Sequence, residues 1–248
     1  FVEEKPTVSY SPLHGESFVK GVLTAVSLKT IALLFHSGWS VERVFKICLQ
    51  RIGKLKNAPS ASGPTPKIAP KTEKFFKSVM FLRELQVQGG LNLTHRISDG
   101  KSQLVINISE ALKKSQPAKK FARSINATVG KTSYLFGPPS IDDNDSIDIV
   151  TRSLLGTMFY LSQAVEVPKK DVEEGRVAIT RTETGKVFNW NKITGGLLHI
   201  RNSLNKPDDA MLVISYRNHW FFISDSDLIS KSTFSLLAQV YALQSGES

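Results

Sequence analysis

The chain has 248 residues, of which 41% are hydrophobic, so it can bury a sizeable globular core and is not a disordered chain. Its single cysteine, Cys48, excludes a disulfide framework and any zinc site built on cysteines. The formal charge of +10 is uneven: residues 1–141 hold 21 Lys/Arg against 8 Asp/Glu, whereas residues 142–248 hold 11 against 14. This asymmetry suits a nucleic-acid or anionic-membrane partner, but we favour a basic surface that meets the acidic half of the same chain.

The N-terminal fifth of the chain is predicted to be helical after an extended stretch over residues 1–16. Ser27 is a good N-cap for a helix over residues 28–36, and Ser40 for a second helix over residues 41–52. Apolar residues recur at helical spacing through both segments. The pattern therefore indicates a helical hairpin.

No transmembrane helix is predicted. The longest apolar stretch, residues 18–35, is interrupted by Lys20 and Lys29. Because the chain begins with Phe1 rather than Met, we expect that it was processed or trimmed, for which removal of a signal peptide is one route.

Residues 53–71 are rich in Pro, Ser, Ala and Lys and have little to bury, which is typical of a linker. A helix is predicted over residues 73–86. The dipeptide Asp99-Gly100 then indicates a tight hairpin between strands within residues 91–108, because both residues accept positive φ.

The rest of the chain alternates helical and strand patterns. Helical segments are predicted over residues 109–125 and 149–165 and, after an Asp/Ser cap, over the last residues to Leu243. Strands are predicted over residues 134–136, 177–182, 187–190, 197–201 and 211–223, the last of these as a hairpin that leads into the terminal helix.

These elements predict an α+β fold, because no regular strand–helix–strand alternation occurs. We expect an N-terminal helical hairpin, a Pro-rich connection, and an antiparallel sheet packed with helices and a C-terminal helix. The predicted units are an N-terminal helical unit over residues 1–58, a Pro/Lys-rich linker over residues 59–72 and an α+β core domain over residues 73–248.

A helix-turn-helix at residues 27–52 is the sharpest functional suggestion. Its second helix would offer Arg43 and Lys46 to bases or phosphates. Leu34, however, stands where such motifs need a small residue for close helix crossing, and the second helix keeps only a thin polar face. We therefore favour a buried helical hairpin.

A second candidate is the basic helical segment, which could bind phosphate or anionic lipid head groups. It contains a single aromatic residue, Phe121, so it lacks the stacking platform of a single-strand binder. A solvated helix face is the plainer interpretation. Its candidate binding residues are Lys113, Lys114, Lys119, Lys120 and Arg123.

Two groups of acidic residues could serve either chemistry or capping. The loop over residues 142–148 has no Gly or closing Glu in the positions that an EF-hand requires, so we expect an acidic helix cap there. Asp225 and Asp227 form a close carboxylate pair, and we expect them to cap the terminal helix.

Motifs of common enzyme classes are absent from the sequence. The five histidines show no metal-ligand spacing, and no nucleophile elbow or phosphate-binding glycine loop occurs. No catalytic residue, metal site or cofactor is therefore predicted, although a catalytic site assembled from distant residues stays open.

The aromatic run near the C-terminus could form a ligand platform. Tyr216, Trp220 and Phe222 are predicted to share one strand face, with His219, Phe221 and Ile223 on the other. A strand that is apolar on both faces is more often the centre of a covered sheet, which is the interpretation that we favour.

Three segments, residues 37–44, 152–161 and 216–228, resemble a family of uncharacterised bacterial envelope proteins, several of them apparent lipoproteins. The resemblance implies a removed signal sequence and a location in the periplasm, anchored to the outer membrane, or outside the cell. It implies no catalytic residues.

The sequence thus predicts a non-enzymatic cell-envelope or secreted protein that acts as a structural or protein-interaction module. Its expected partner is a protein or an anionic envelope component. The alternative is a basic nucleic-acid-binding protein that uses the helix-turn-helix at residues 27–52.

Overall fold

The computed structural model describes residues 15–139 and 145–245. The α-helices are α1 (Gly15–Leu23), α2 (Leu28–His36), α3 (Val41–Cys48), α4 (Glu73–Val87), α5 (Gln116–Ser124), α6 (Leu154–Ser162), α7 (Lys169–Glu173), α8 (Asn191–Thr194) and α9 (Leu228–Ser245). The strands are β1 (Leu49–Ile52), β2 (Leu55–Lys56), β3 (Leu91–Ser98), β4 (Lys101–Ile108), β5 (Ser133–Phe136), β6 (Ile149–Thr151), β7 (Arg201–Ser203), β8 (Ala210–Tyr216) and β9 (His219–Ser224). The predicted α+β class with a C-terminal helix is confirmed.

The strands form three small antiparallel sheets, with the orders β2-β1-β6, β3-β4-β5 and β7-β9-β8. Helices α2, α3 and α4 pack on one another and on the strands, and their buried residues belong to one hydrophobic core that extends into α9. No helix of the described ranges is long and apolar enough to cross a membrane.

The predicted N-terminal helices are present, but the second is shorter than expected. The hydroxyl of Ser27 accepts a hydrogen bond from the amide of Thr30 at 2.9 Å and caps α2. Helix α3 ends at Cys48, whereas the prediction continued it to residue 52, because Leu49–Ile52 turns into a strand that pairs with β6.

The same pairing divides the helix predicted over residues 149–165. Ile149–Thr151 is strand β6, and helix α6 begins only after Ser153, whose hydroxyl accepts a hydrogen bond from the amide of Gly156 at 3.0 Å. Residues of the predicted N-terminal unit therefore share a sheet with residues of the predicted core domain.

The segment predicted as a linker packs against its neighbours. Ala61 is fully buried in a short 3₁₀ helix, Pro59–Ala61. Further on, the amide of Ala69 donates to the carbonyl of Arg181 at 2.8 Å, and the amide of Arg181 donates to the carbonyl of Lys67 at 2.9 Å. Small residues and backbone hydrogen bonds hold this segment where the sequence offers few large apolar groups.

Both predicted hairpins are present. Asp99 and Gly100 have φ values of 52° and 69°, as their turn requires, and the following pairs Ser98–Lys101 through Leu91–Ile108 stay in register. Strand β9 lies at the centre of the C-terminal sheet, as expected.

The alternation predicted for the aromatic run is confirmed within β9, where Trp220 and Phe222 share one face and Phe221 and Ile223 the other, but the predicted face of Tyr216 is wrong. Tyr216 lies opposite His219, and Trp220 lies opposite Ser215, so Tyr216 and Trp220 point to opposite faces of the sheet. The sheet is also not covered on both sides, because Tyr216 is 61% exposed and Trp220 is only half-buried.

The strands predicted over residues 177–182 and 187–190 are also wrong. Of these residues, Arg181 and Val187 form only isolated bridges. The strand predicted over residues 197–201 is displaced to Arg201–Ser203. β-branched residues favour strands only where a partner strand exists, and this region pairs with none over several residues.

Candidate functional site

Helices α4 and α5 pack side by side and in opposite directions. The hydroxyls of Ser78 and Ser124 are 2.7 Å apart, and the ammonium of Lys120 lies 5.6 Å from the centre of the Phe81 ring. Because the residue number rises on one helix as it falls on the other, the two helices are antiparallel.

The sequence of α5 explains which of its sides faces out. Ala118, Phe121 and Ala122 are buried, and the ring of Phe121 meets that of Tyr134 edge to face with the centres 5.8 Å apart. The basic residues occupy the remaining positions of each turn, so burial of the apolar stripe leaves them on the solvent side. Here the structure brings together Lys119, Lys120 and Arg123.

The other two residues of the predicted basic segment lie in the turn before α5. Lys114 is exposed, and Lys113 forms an ion pair with Glu110 at 2.6 Å. The helix itself begins after Ser115, whose hydroxyl caps the amide of Ala118 at 3.4 Å, rather than at residue 109. Pro117 fits this first turn because its missing N–H would have no helical partner.

Helix α4 adds two basic residues that the sequence interpretation missed. Lys74 and Lys77 are exposed, and each lies one helical turn before a residue of α4 that contacts α5, Ser78 and Phe81 respectively. The signal was present, because α4 was predicted as a helix, but its antiparallel pairing with α5 could not be inferred from periodicity. We call this combined surface the basic face; it consists of Lys74, Lys77, Lys114, Lys119, Lys120 and Arg123.

The basic face has few acidic neighbours. Within the described residues, none of its members forms an ion pair. On the two helices, the only carboxylates are Glu73 and Glu84 of α4. Met80 and Val87 of the same helix are 44% and 70% exposed. The surface thus combines unneutralised cations with exposed apolar side chains.

The two cations of the helix-turn-helix candidate are engaged within the protein. Arg43 donates to the carbonyl of Ile229 at 3.0 Å and to the hydroxyl of Thr233 at 2.7 Å, both on α9. Burial lowers the pKa of Arg43, an effect that Glu42 partly offsets. A DNA-reading role for this helix would therefore require α9 to move away.

Lys46 is likewise occupied. Its ammonium pairs with Glu42 at 2.5 Å and lies 4.5 Å from the centre of the Phe76 ring on α4. The structure does not bring Arg43 and Lys46 together with the basic face into one surface. DNA binding by residues 27–52 stays a prediction. Arg43 and Lys46, the two cations named for it, both have partners within the protein.

A buried arginine, Arg152, was missed as a key residue. It is fully buried, and its guanidinium donates to the carbonyls of Lys46 and Ile47 at 3.2 and 3.0 Å and to those of Leu49 and Asn57. These carbonyls lie at and beyond the C-terminal end of α3, where the helix dipole favours a cation.

Arg152 also interacts with the ring of Tyr160 and, electrostatically, with the thiol of Cys48. Its guanidinium lies 4.0 Å from the centre of the Tyr160 ring. Burial lowers the pKa of Arg152 to about 10, so it stays charged at neutral pH. Burial raises the pKa of Cys48 to about 12, so this thiol stays protonated at neutral pH.

The two members of the Asp225–Asp227 pair have different roles. Asp227 accepts from the amide and hydroxyl of Ser230 at 3.0 and 2.6 Å, and it caps α9 as expected. Asp225 instead pairs with Lys231 at 2.7 Å, so its predicted capping role is wrong.

The predicted acidic loop falls partly outside the described residues, which omit residues 140–144. Its end leads into strand β6 rather than a helix, so the expected helix cap at Asp148 is wrong; Asp148 pairs with Arg51 at 2.5 Å instead. Among residues 15–139 and 145–245, no three His, Cys, Asp or Glu side chains lie close enough together to hold a metal ion.

Comparisons with protein-family models, with curated proteins and with solved structures found no match to this chain.

Proposed function

We propose that this protein is a non-enzymatic module of the bacterial cell envelope that binds an anionic lipid surface through the basic face. The single observation that carries the proposal is the group of unneutralised cations on α4 and α5, on a helix pair that also exposes Met80 and Val87 of α4. A periplasmic, outer-membrane-anchored or secreted location is part of the proposal and is supported by the resemblance of three segments to envelope proteins.

The charge of the basic face supports an anionic partner. Each Lys or Arg near an anionic leaflet contributes about 1 kcal/mol to binding. A member of the face can make this contribution without breaking an ion pair, since none is formed within the described residues. The cations of Arg43 and Lys46 would first have to lose their intramolecular partners.

The apolar residues favour lipid over nucleic acid. Met80 and Val87 would insert at the boundary between head groups and acyl chains, where surface-bound helices bury their apolar side chains. A single-stranded nucleic acid would instead need aromatic rings for stacking. On α4 and α5, Phe81 is already covered in part by Lys120, and Phe121 is buried.

Co-sedimentation with lipid vesicles tests this proposal. The protein is expected to sediment with phosphatidylcholine vesicles that contain phosphatidylglycerol, and not with phosphatidylcholine alone, with the bound fraction falling as salt increases. Retention on anionic vesicles should weaken several-fold in the double variant Met80→Ser, Val87→Ser. Binding to a DNA duplex of equal charge density should be unaffected by these substitutions.

The same measurements separate the alternatives. Equal binding to neutral and anionic vesicles, or to neither, would contradict the proposal. If DNA competes the protein off anionic vesicles and binds it at least 100-fold more tightly, the basic face belongs to a nucleic-acid-binding protein. Fractionation of cells that express the natural gene tests the location, and recovery in the cytoplasm would contradict an envelope role.

A further inference from the structure

An open cleft lies on the acidic half of the chain. It has a volume of 510 Å³, within the range of small-ligand sites. Residues that follow α6 form one side, the segment that leads into α8 forms another, and residues after α8 close it. It is distinct from the basic face, with which it shares no residue.

Two aromatic rings form the apolar part of the lining. Phe188 and Trp190 meet edge to face, with ring centres 5.3 Å apart, and both line the cleft. The indole N–H of Trp190 donates to the hydroxyl of Thr180 at 3.1 Å, and this fixes the ring. Trp190 is half-buried, so part of it stays accessible to a ligand.

A fixed carboxylate faces the same cleft. Oε1 of Glu166 lies 2.7 Å from Nε2 of His199, and Oε2 accepts from the amide of Asn202 at 3.3 Å. The backbone of His199 is held in turn by the hydroxyl of Ser230 at 2.9 Å. Backbone contacts thus hold Glu166 and His199 in position, and both side chains remain about half-exposed.

Two amide side chains complete the polar lining. Oδ1 of Asn189 accepts from the amide of Asn191 at 3.0 Å, and neither side chain donates a hydrogen bond within the described residues. A Cβ atom at position 195 would lie 2.2 Å from Oδ1 of Asn191, so Gly195 is what allows this side chain to lie where it does.

A second groove of 370 Å³ adjoins the first cleft at the aromatic pair. It shares Gln163, Val165, Phe188 and Trp190 with the first cleft. Its other walls are largely aliphatic and include Val167, Ala178, Ile179 and Val187. The cleft and the adjoining groove, taken together as one groove, therefore suit an elongated ligand with polar groups at one end and small apolar groups at the other.

We propose that this groove binds an N-acetylated oligosaccharide. Sugar rings would pack their C–H faces on the Phe188–Trp190 pair, and hydroxyls would donate to Glu166 while the amides of Asn189 and Asn191 donate to the ligand. The aliphatic groove accepts acetamido methyl groups, which an unsubstituted glucan lacks. An anionic ligand is disfavoured by the Glu166 carboxylate, and a purely apolar one by the amides.

Isothermal titration with N-acetylglucosamine tetramer, and with a glucose tetramer as the reference, tests the proposal. The N-acetylated tetramer is expected to bind at least 10-fold more tightly. Its affinity should fall at least 10-fold in Trp190→Ala and several-fold in Glu166→Gln and Asn189→Ala. Trp220→Phe, in strand β9 and outside the cleft and groove, is the control and should bind as the natural protein does.

Asn189→Ala alters an exposed side chain and Glu166→Gln keeps its shape, so the test does not depend on whether Trp190→Ala folds. Far-UV circular dichroism and thermal unfolding confirm that each variant is native. The proposal is overturned if neither tetramer binds at millimolar concentration, if both bind equally, or if folded Glu166→Gln and Asn189→Ala retain full affinity.

Discussion

Arg152 shows how one residue can join distant segments. It bonds to the backbone of residues 46–49 and to Asn57, while its own amide donates to the carbonyl of Cys48 at 2.6 Å. Its own carbonyl accepts from the amide of Val26 at 2.8 Å. No periodicity marks this role, because a buried arginine is rare and its acceptors are backbone groups far away in sequence.

Replacement of Arg152 should therefore be costly. Arg152→Met leaves several buried carbonyls without a donor, so the free energy of unfolding should fall by roughly 3–5 kcal/mol. Arg152→Lys should lose almost as much, because an ammonium cannot reach acceptors in a planar fork. Urea denaturation measures both, and Arg123→Met on the exposed face is the control, with an expected change under about 0.5 kcal/mol.

The lowered pKa of Asp227 predicts that the stability of the protein depends on pH. Burial alone would raise its pKa, but the bonds from Ser230, with His199 and Arg201 nearby, lower it overall. A pKa that is lower in the folded state contributes stability that is present above the unfolded value of 3.8 and is lost as the pH falls through the folded value. This stability should be missing from Asp227→Ala.

Asp227→Ala should thus lose about 1 kcal/mol at neutral pH through the missing cap. The difference from the natural protein should shrink below about pH 4. Asp225→Ala is the matched control and should change stability by less than about 0.5 kcal/mol, because its pair with Lys231 is solvent-exposed. Equal losses in the two variants would show that Asp227 does not cap α9.

At the scale of elements, the sequence was informative where the signal is local. The Asp99-Gly100 turn and the caps Ser27 and Ser153 lie within a few residues of what they specify. The end of α3 and the start of α6 could not be predicted, because the adjoining strands β1 and β6 form by pairing with each other across about 100 residues. An apolar run alone does not distinguish a buried strand from a buried helix.

Two glycines near the β3–β4–β5 sheet provide a test of close packing. Gly130 and Gly137 both have positive φ, at 86° and 129°. A Cβ at Gly130 would meet open space, whereas one at Gly137 would lie 2.9 Å from the carbonyl oxygen of Ser102. Gly130→Ala should cost about 1 kcal/mol from strain alone.

Gly137→Ala should cost at least about 1–2 kcal/mol more than Gly130→Ala, because the backbone of β4 must shift. Thermal unfolding of the two variants measures the difference. Equal melting temperatures would mean that the Gly137 segment does not pack on β4 as described.

At the scale of the whole molecule, the charge asymmetry of the sequence was the most useful functional signal. It indicated a basic half, and five candidate residues in the segment 113–123 were named from it. Four of these five residues lie with Lys74 and Lys77 in the basic face. This grouping depends on the packing of α4 on α5, which no local pattern encodes. The cleft around Trp190 was not predicted, because its residues come from three separate stretches with no shared motif.

The basic half also does not simply meet the acidic half. Some pairs do cross, such as Arg51–Asp148, Lys71–Glu183 and Lys131–Asp145. The basic face is left outside these pairs within the described residues. The proposed function depends on this difference between the paired cations and the unpaired cations of the basic face.

The most direct test of the central claim compares two triple variants of equal charge on anionic vesicles. Lys119→Gln, Lys120→Gln, Arg123→Gln removes half of the basic face, whereas Lys169→Gln, Lys170→Gln, Lys186→Gln removes the same charge from exposed positions elsewhere. At about 1 kcal/mol per residue, the first variant should bind roughly 100-fold more weakly than the natural protein, and the second should bind nearly as well. Equal weakening in both variants would mean that only net charge matters and would contradict a defined basic face.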